Sequence, residues 1–367
     1  MLHTRTFRLG LLLVLAFLGS NVFAQVQTFE WQGVQREYLI RTPQQNDKPT
    51  MPVMYFLHGW TDNIVRLDNE YHFQQYADAF GWTIIVPQAL DEGSGTMWNA
   101  GLYASNTDDS GFLMALLDSL AEPYQLNLDS VFFTGFSMGG FMTHRMAIEH
   151  GDRIAACAPV SGLITFSMSS HTPVAPVRML HIHGTADPVV GYSGSSQYFG
   201  TLGLGVEAIL DYWKNANGCE GEPVIDSFPD LHNDGLRFVR YTYDCGTELQ
   251  HIKVIGGVHN FYLNANQTDI SYMNVIHDFF VGKGGYESVK EPSEMGSLRI
   301  TPNPNDRQFN IEVETATTIQ IRDMLGRLVA VEKVPAGPTR LDLRHLSEGM
   351  YILKADEGAI AKILIRK

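Results

Sequence analysis

Cysteine is scarce in this chain: there are three among 367 residues, Cys157, Cys219 and Cys245. None stands at a Cys/His spacing that would hold zinc, so no metal site is expected. Basic residues are also short, with 26 Lys+Arg against 40 Asp+Glu and a formal charge of −14. The deficit lies in the middle of the chain, where residues 25–297 carry −18 while residues 298–367 carry +2. Without a basic patch to offset phosphate, nucleic acid and anionic membrane surfaces are excluded as partners. Apolar runs long enough to cross a bilayer are missing too, so no transmembrane segment is expected. The one continuous run, Leu9–Leu18, follows Arg5 and Arg8, is broken by Gly19-Ser20-Asn21 and ends in Val22-Phe23-Ala24. That pattern reads as a secretory signal peptide over residues 1–24, with Gln25 as the mature start. Export suits the cysteines: Cys219 and Cys245 sit in polar, loop-like contexts compatible with a disulfide, and Cys157 sits in an apolar run as a small buried hydrophobe.

What the chain does have is an ordinary globular interior, 44% hydrophobic and 11% aromatic. Short apolar runs at Pro52–Leu57, Trp82–Val86, Ala155–Val160 and Val177–Ile182 read as buried strands. A strand or strand pair around Gly33 (Phe29–Thr42) precedes them, and strands at Arg237–Tyr243 and His251–Ile255 follow. Helical spacing covers Asp68–Phe80, a segment from Asp108 to about Leu126, Met138–His150, Val206–Asn217 and Ile270–Phe280. Asp108 and Asp109 stand where a helix N-terminus favours carboxylates, so both read as caps. Strands alternating with helices predict an α/β domain with a mostly parallel central sheet over residues 25–285. In such sheets function gathers at the carboxyl ends of the strands.

At one such end stands Gly135-Phe136-Ser137-Met138-Gly139, a G-x-S-x-G sequence between an aromatic strand and a helix. The backbone must turn sharply there, and a Cβ on either flanking glycine would meet the neighbouring strand or helix. A serine hydroxyl becomes a nucleophile only with a base in reach and an acid to orient that base. Asp187 and His259 follow later in the chain, each just past a predicted strand, and Ser-Asp-His is the α/β-hydrolase order. Competing groups fit less well. Asp62, Asp91 and Asp109 precede the serine, His144 lies two helical turns beyond it, and His183 is too near Asp187 in sequence. The oxyanion would be received by the backbone N–H groups of Met138 and Trp60, and His58 would support the Trp60 loop. Trp60, Trp98 and Tyr103 are candidates for the pocket walls.

Several segments together carry a resemblance: Leu57-His58-Gly59, Trp98-Asn99-Ala100-Gly101, Asp108–Phe112, Gly135–Gly140, His183–Asp187, Asn217-Gly218-Cys219 and Gly256–His259. From about Gln27 to Lys283 the chain resembles the secreted esterase family that joins polyhydroxybutyrate depolymerases, feruloyl esterases and acetyl xylan esterases. The resemblance implies an α/β-hydrolase fold, no cofactor, a Ser137-Asp187-His259 triad and a Cys219–Cys245 bridge near the histidine loop. The chain departs from many relatives in having Trp60 in place of a cysteine and Asn260-Phe261 in place of Trp-Pro. Both positions face substrate in relatives, which makes Phe261 a further substrate-binding candidate.

A polar linker, residues 286–297, leads to alternating strands separated by turn residues, including Phe309–Val313 and Thr318–Arg322. They predict a small β-sandwich. Residues 298–367 resemble the C-terminal sorting domain of the type IX secretion system of Bacteroidetes. That implies the secretion machinery as partner and an outer-membrane export route, ending secreted or at the cell surface. The alternative for this segment is a carbohydrate-binding module. The expected activity is a serine esterase acting through an acyl-enzyme on feruloyl or acetyl esters of plant cell-wall polysaccharide. A polyester depolymerase is the alternative within the class, and a serine peptidase or a catalytically silent surface binder are alternatives outside it.

Overall fold

The runs PVMYFL, TIIVP and ACAPV lack the polar alternation of a half-exposed strand, and a strand with no polar face must be covered on both sides. The computed structural model describes residues 26–46, 48–264, 268–282, 299–301, 308–313, 316–323, 328–344, 346, 349–355 and 360–365. The expected signal peptide (1–24) and linker (286–297) lie outside the described residues. The strands are β1 (Gln27–Trp31), β2 (Val34–Arg41), β3 (Met51–Leu57), β4 (Thr83–Pro87), β5 (Leu126–Phe136), β6 (Ala156–Val160) and β7 (Arg178–Gly184). A two-rung hairpin, β8 (Ser195–Ser196) and β9 (Gly200–Thr201), precedes β10 (Cys219–Ser227), β11 (Arg237–Cys245) and β12 (Leu249–Ile255). Ten of them form one sheet in the order β1-β2-β4-β3-β5-β6-β7-β12-β11-β10. The six from β4 to β12 are parallel, and the pairs outside them are antiparallel.

Alternation along β3 shows how both faces are filled. Val53, Tyr55 and Leu57 join one core with helices α3 (Asp109–Ala121), α4 (Met138–His150) and α6 (Val206–Asn217). Met54 and Phe56 join the other, with α1 (Ile64–Tyr71), α2 (Phe73–Phe80) and α7 (Tyr272–Phe280). A short helix, α5 (Phe166–Ser169), lies after β6.

The structure departs from the expected elements where side chains or caps, not periodicity, decide the outcome. The helix expected over Asp68–Phe80 is two helices, because His72 turns left-handed (φ 55°) and its N–H closes α1 on the Asp68 carbonyl. The next helix stops at Ala121, and Leu126 already opens β5. Asp108 caps α3 by accepting the Gly111 N–H at 2.9 Å. Asp109 is no second cap: it forms a 2.6 Å ion pair with Arg36, both side chains 1% exposed. Burial raises the Asp109 carboxyl, and the Arg36 charge and the Asn99 N–H offset this only in part. Cys219 and Cys245 are strand residues rather than loop residues. They face each other in the β10–β11 register and are joined by a disulfide.

In the tail, β13 (Arg299–Thr301), β14 (Gln308–Val313) and β17 (Gly337–Asp342) form one antiparallel sheet. A second contains β15 (Thr317–Asp323), β16 (Leu328–Val334), β18 (Gly349–Ala355) and β19 (Ile360–Ile365). Phe309, Ile311 and Leu341 from the first share a core with Ile319, Ile321 and Leu353 from the second, the packing of a small sandwich. Among the described residues no helix is long and apolar enough to cross a membrane.

Candidate active site

β5 ends at Phe136 and α4 begins at Met138, which leaves one residue, Ser137, to reverse the chain. Its backbone takes φ 56°, ψ −120°, a conformation that a non-glycine residue holds only when its surroundings impose it. Here they do. The Ser137 N–H is held by the Val160 carbonyl at 3.0 Å, and the Ser137 carbonyl accepts the Phe141 N–H at 3.1 Å. The flanking glycines are required by contact: a Cβ on Gly139 would fall 1.9 Å from the Leu57 oxygen, and one on Gly135 would fall 2.6 Å from the Gly139 backbone.

Two adjacent parallel strands, β7 and β12, deliver the other two groups. Their ends are stitched together by backbone bonds, Thr185 N–H to the Val254 carbonyl and Ala186 N–H to the Gly257 carbonyl, both at 2.9 Å. His259 Nδ1 donates to Asp187 Oδ2 at 2.7 Å. The other carboxylate oxygen accepts the N–H groups of Val189 and Val190 at 2.9 and 2.8 Å. Burial pushes the Asp187 carboxyl up, but the His259 bond and charge and the Val190 N–H outweigh it, so the group rests below its usual value. The His259 ring lies 4.7 Å from that of Phe136, the neighbour of Ser137. This brings serine, imidazole and carboxylate to one end of the sheet.

The loop after β3 meets Ser137 from the other side, since a Cβ on Gly59 would lie 3.6 Å from the Ser137 Cβ. Met138 opens α4, so its N–H belongs to the first-turn donors that have no partner within the helix. His58 anchors the loop from below. Its Nδ1 donates to the Gly59 carbonyl at 2.6 Å, and its Nε2 accepts the Ala89 N–H and the Gln88 amide, both at 2.9 Å. Burial above all, against the Gly59 bond, pushes His58 down to about 4, so it is neutral. Gln88 also bonds the Ile64 N–H and the Asp62 carbonyl, each at 3.0 Å. Nothing in the sequence around Gln88 marks it, because its partners come from a distant loop.

Of the candidate wall residues, Trp60 and Tyr103 border one cavity of about 330 Å³. Trp98 does not reach it. It is 1% exposed, and its Nε1 donates to the His58 carbonyl at 3.0 Å, so it lies beneath the loop rather than in the mouth. Phe261 is a core residue as well, packed among Phe56, Tyr71 and Tyr272 at ring distances of 5.3–5.4 Å. Burial of a large ring outweighed any role facing substrate at both positions. The β8–β9 hairpin supplies what sequence reasoning missed. Its tip holds Tyr198 and Phe199, 66% and 47% exposed, and the Phe199 ring stands 5.6 Å from Trp60. Two adjacent aromatics in a Gly/Ser-rich turn were the available signal. Among the described residues no cluster of His, Cys, Asp or Glu is arranged to hold a metal.

Comparison with known proteins gives the following likenesses. Residues 299–366 match the secretion system C-terminal sorting domain family. NocK of Nocardia uniformis subsp. tsuyamanensis ("Putative esterase NocK") is 30% identical over 259 residues, which cover 63% of this chain and 74% of NocK. Feruloyl esterase C of Emericella nidulans is 29% identical over 211 residues, 54% of this chain and 70% of that protein. The bifunctional acetylxylan esterase/xylanase XynS20E of Neocallimastix patriciarum is 26% identical over 234 residues, 62% of this chain. The chain spans only 31% of the length of that two-activity protein. Among solved structures, an acetyl xylan esterase from Aspergillus awamori superposes with a TM-score of 0.53 at 17% identity, covering 70% of this chain and 99% of that one. At that identity the likeness is one of fold.

Proposed function

The chain belongs to the family of α/β-hydrolase esterases that includes NocK, and on that premise we propose that it is an exported serine esterase. The observation that carries the reading is the 2.7 Å His259–Asp187 bond beside the strained Ser137 turn. Ser137 Oγ attacks the ester carbonyl and gives its proton to His259 Nε2. Asp187 keeps the Nδ1–H in place and stabilises the imidazolium. The tetrahedral oxyanion takes the N–H groups of Met138 and Trp60. Collapse passes the His259 proton to the departing alcohol, and water then cleaves the acyl-enzyme by the same steps.

The substrate we propose is a feruloyl or acetyl ester of plant cell-wall polysaccharide, in keeping with what the named relatives act on and with the aromatic rim of Trp60, Phe199 and Tyr103. Residues 25–285 form the esterase domain and 286–297 a linker. Residues 298–367 engage the type IX secretion machinery, after a signal peptide at 1–24 has taken the chain across the inner membrane. Export leaves the protein secreted or at the cell surface. The test is hydrolysis of methyl ferulate, acetylated xylan and polyhydroxybutyrate by the wild type and by Ser137→Ala. We expect the variant to lose at least about 10³-fold in kcat with an unchanged melting point. Steady turnover by Ser137→Ala, or failure of a fluorophosphonate to label the wild-type serine, would remove the triad assignment.

A further inference from the structure

Glu92, Ala104 and Ser105 stand in the walls of two cavities at once. The smaller, about 330 Å³, continues past Tyr103 to Trp60, whose neighbour Gly59 meets Ser137. The larger, about 580 Å³, runs the other way under the β1–β2 hairpin to Trp31 and Arg36. Each falls in the size range of small-molecule sites. Neither cavity is lined by Ser137 or His259, so an acyl group seated at the serine leaves both unexplained. We propose that the pair forms one track for the alcohol side of the substrate, a neutral glycan chain. The esterified sugar lies between Trp60 and Tyr103, and further sugars pass over Glu92 and Ser105 toward Trp31. The proposal rests on the esterase reading above and extends it to the leaving group.

The chemistry of the walls fits that occupant. A pyranose offers a flat C–H face to an aromatic ring and hydroxyls to amides, carboxylates and other hydroxyls. The track provides indole rings at both ends, with Glu92, Ser105, Asn106 and Thr107 between them. The walls are also fixed in advance. Glu92 accepts from the hydroxyls of Ser105 and Thr107, and Gln32 Nε2 donates to Asp108 at 3.2 Å. Charge restricts the occupant further, because Arg36 is committed to Asp109 while Glu92 and Asp108 leave the track acidic. A uronate-rich or phosphorylated chain is therefore disfavoured relative to a neutral one.

The experiment compares kcat/KM on a feruloylated arabinoxylo-oligosaccharide with kcat/KM on methyl ferulate. Trp31→Ala is expected to lower the ratio about tenfold, and Ala104→Trp, which fills the shared wall at an exposed position, to lower it at least as far. Melting curves report whether each variant is folded, and Ala104→Trp keeps the question answerable if Trp31→Ala is not. As a second readout, unesterified xylotetraose should perturb the tryptophan fluorescence of Ser137→Ala protein and lose that effect when Ala104→Trp is added. An unchanged ratio in the folded variants, or an equal fall on both substrates, overturns the track. Failure of the wild type on both substrates and on acetylated xylan would overturn the esterase reading instead.

Discussion

Lowering the pH from 7.5 to 5 should strip this protein of several kcal/mol of folding free energy, because its interior holds histidines whose burial disfavours a second proton. His144 on α4, His181 and His183 on β7 and His251 on β12 form a stack, with ring centroids 5.3–5.6 Å apart along it. Each is fully or almost fully buried. The hydrogen bonds fix neutral tautomers: His251 Nδ1 donates to the His181 carbonyl at 2.9 Å, and His183 Nε2 donates to the Val190 carbonyl at 2.7 Å. Burial is the largest cause in every case, pushing His144 and His251 down to about 3 and lowering His181 and His183 as well. With His58 near 4, the folded chain stays unprotonated at these sites in a range where the unfolded chain, at about 6.5, binds protons. Stability therefore falls as the pH drops through about 6.5, and keeps falling until each folded-state value is reached.

Linkage gives about 2 kcal/mol per histidine at pH 5, or about 6 kcal/mol for His58, His144 and His251 together. Half that figure would still be a large share of the roughly 5–15 kcal/mol that holds a protein folded. Each kcal/mol corresponds to about 2–4 °C in melting temperature for a domain of this size. Urea unfolding at pH 7.5, 6.5, 5.5 and 5, followed by near-ultraviolet circular dichroism, measures the slope. Replacing one member, His144→Gln, should flatten it by up to about 1.4 kcal/mol per pH unit whatever it does to stability at pH 7.5. A midpoint that does not move between pH 7.5 and 5, or a slope that His144→Gln leaves intact, would refute the reasoning.

Asp187→Asn should lower kcat by about 10³–10⁴-fold with a small change in KM, because the His259 tautomer loses its acceptor; pre-steady-state acylation of the serine checks this. Gln88→Leu should lower kcat about tenfold and leave KM nearly unchanged, since Gln88 supports the proposed oxyanion loop through His58 and Asp62 and is not placed against the substrate. It should also cost about 1–3 kcal/mol in urea unfolding from the backbone groups left unpaired. Phe199→Ala should raise KM for methyl ferulate several-fold while sparing acetyl esters, as only an aromatic acyl group reaches the ring beside Trp60; equal losses on both esters would argue against the hairpin as an acyl wall.

How much of this was legible in the chain depended on how far each residue's partners lie from it. The central strands announced themselves because burial on both faces removes polar residues, a condition written locally in runs such as TIIVP. The serine turn was readable for a related reason. Gly135 and Gly139 are forced by backbone contacts with β3 and with each other, and such contacts leave room only for glycine. Asp187 and His259 could be placed by chain order, since adjacent parallel strands present their ends side by side. Trp98 and Phe261 show where that logic stops. Both are large rings near the mouth, and whether such a ring faces inward or outward is settled by packing partners elsewhere, the His58 loop for one and the Phe56–Tyr71–Tyr272 group for the other. The same limit hid Gln88 and the pairing of Arg36 with Asp109, whose partners are 30 and 73 residues away. A catalytic group must sit at a strand end to act, and topology restricts where those ends are. A supporting group only has to reach one, and many places in a chain can do that, which is why the candidate groups Ser137, Asp187 and His259 were legible and their scaffolding was not.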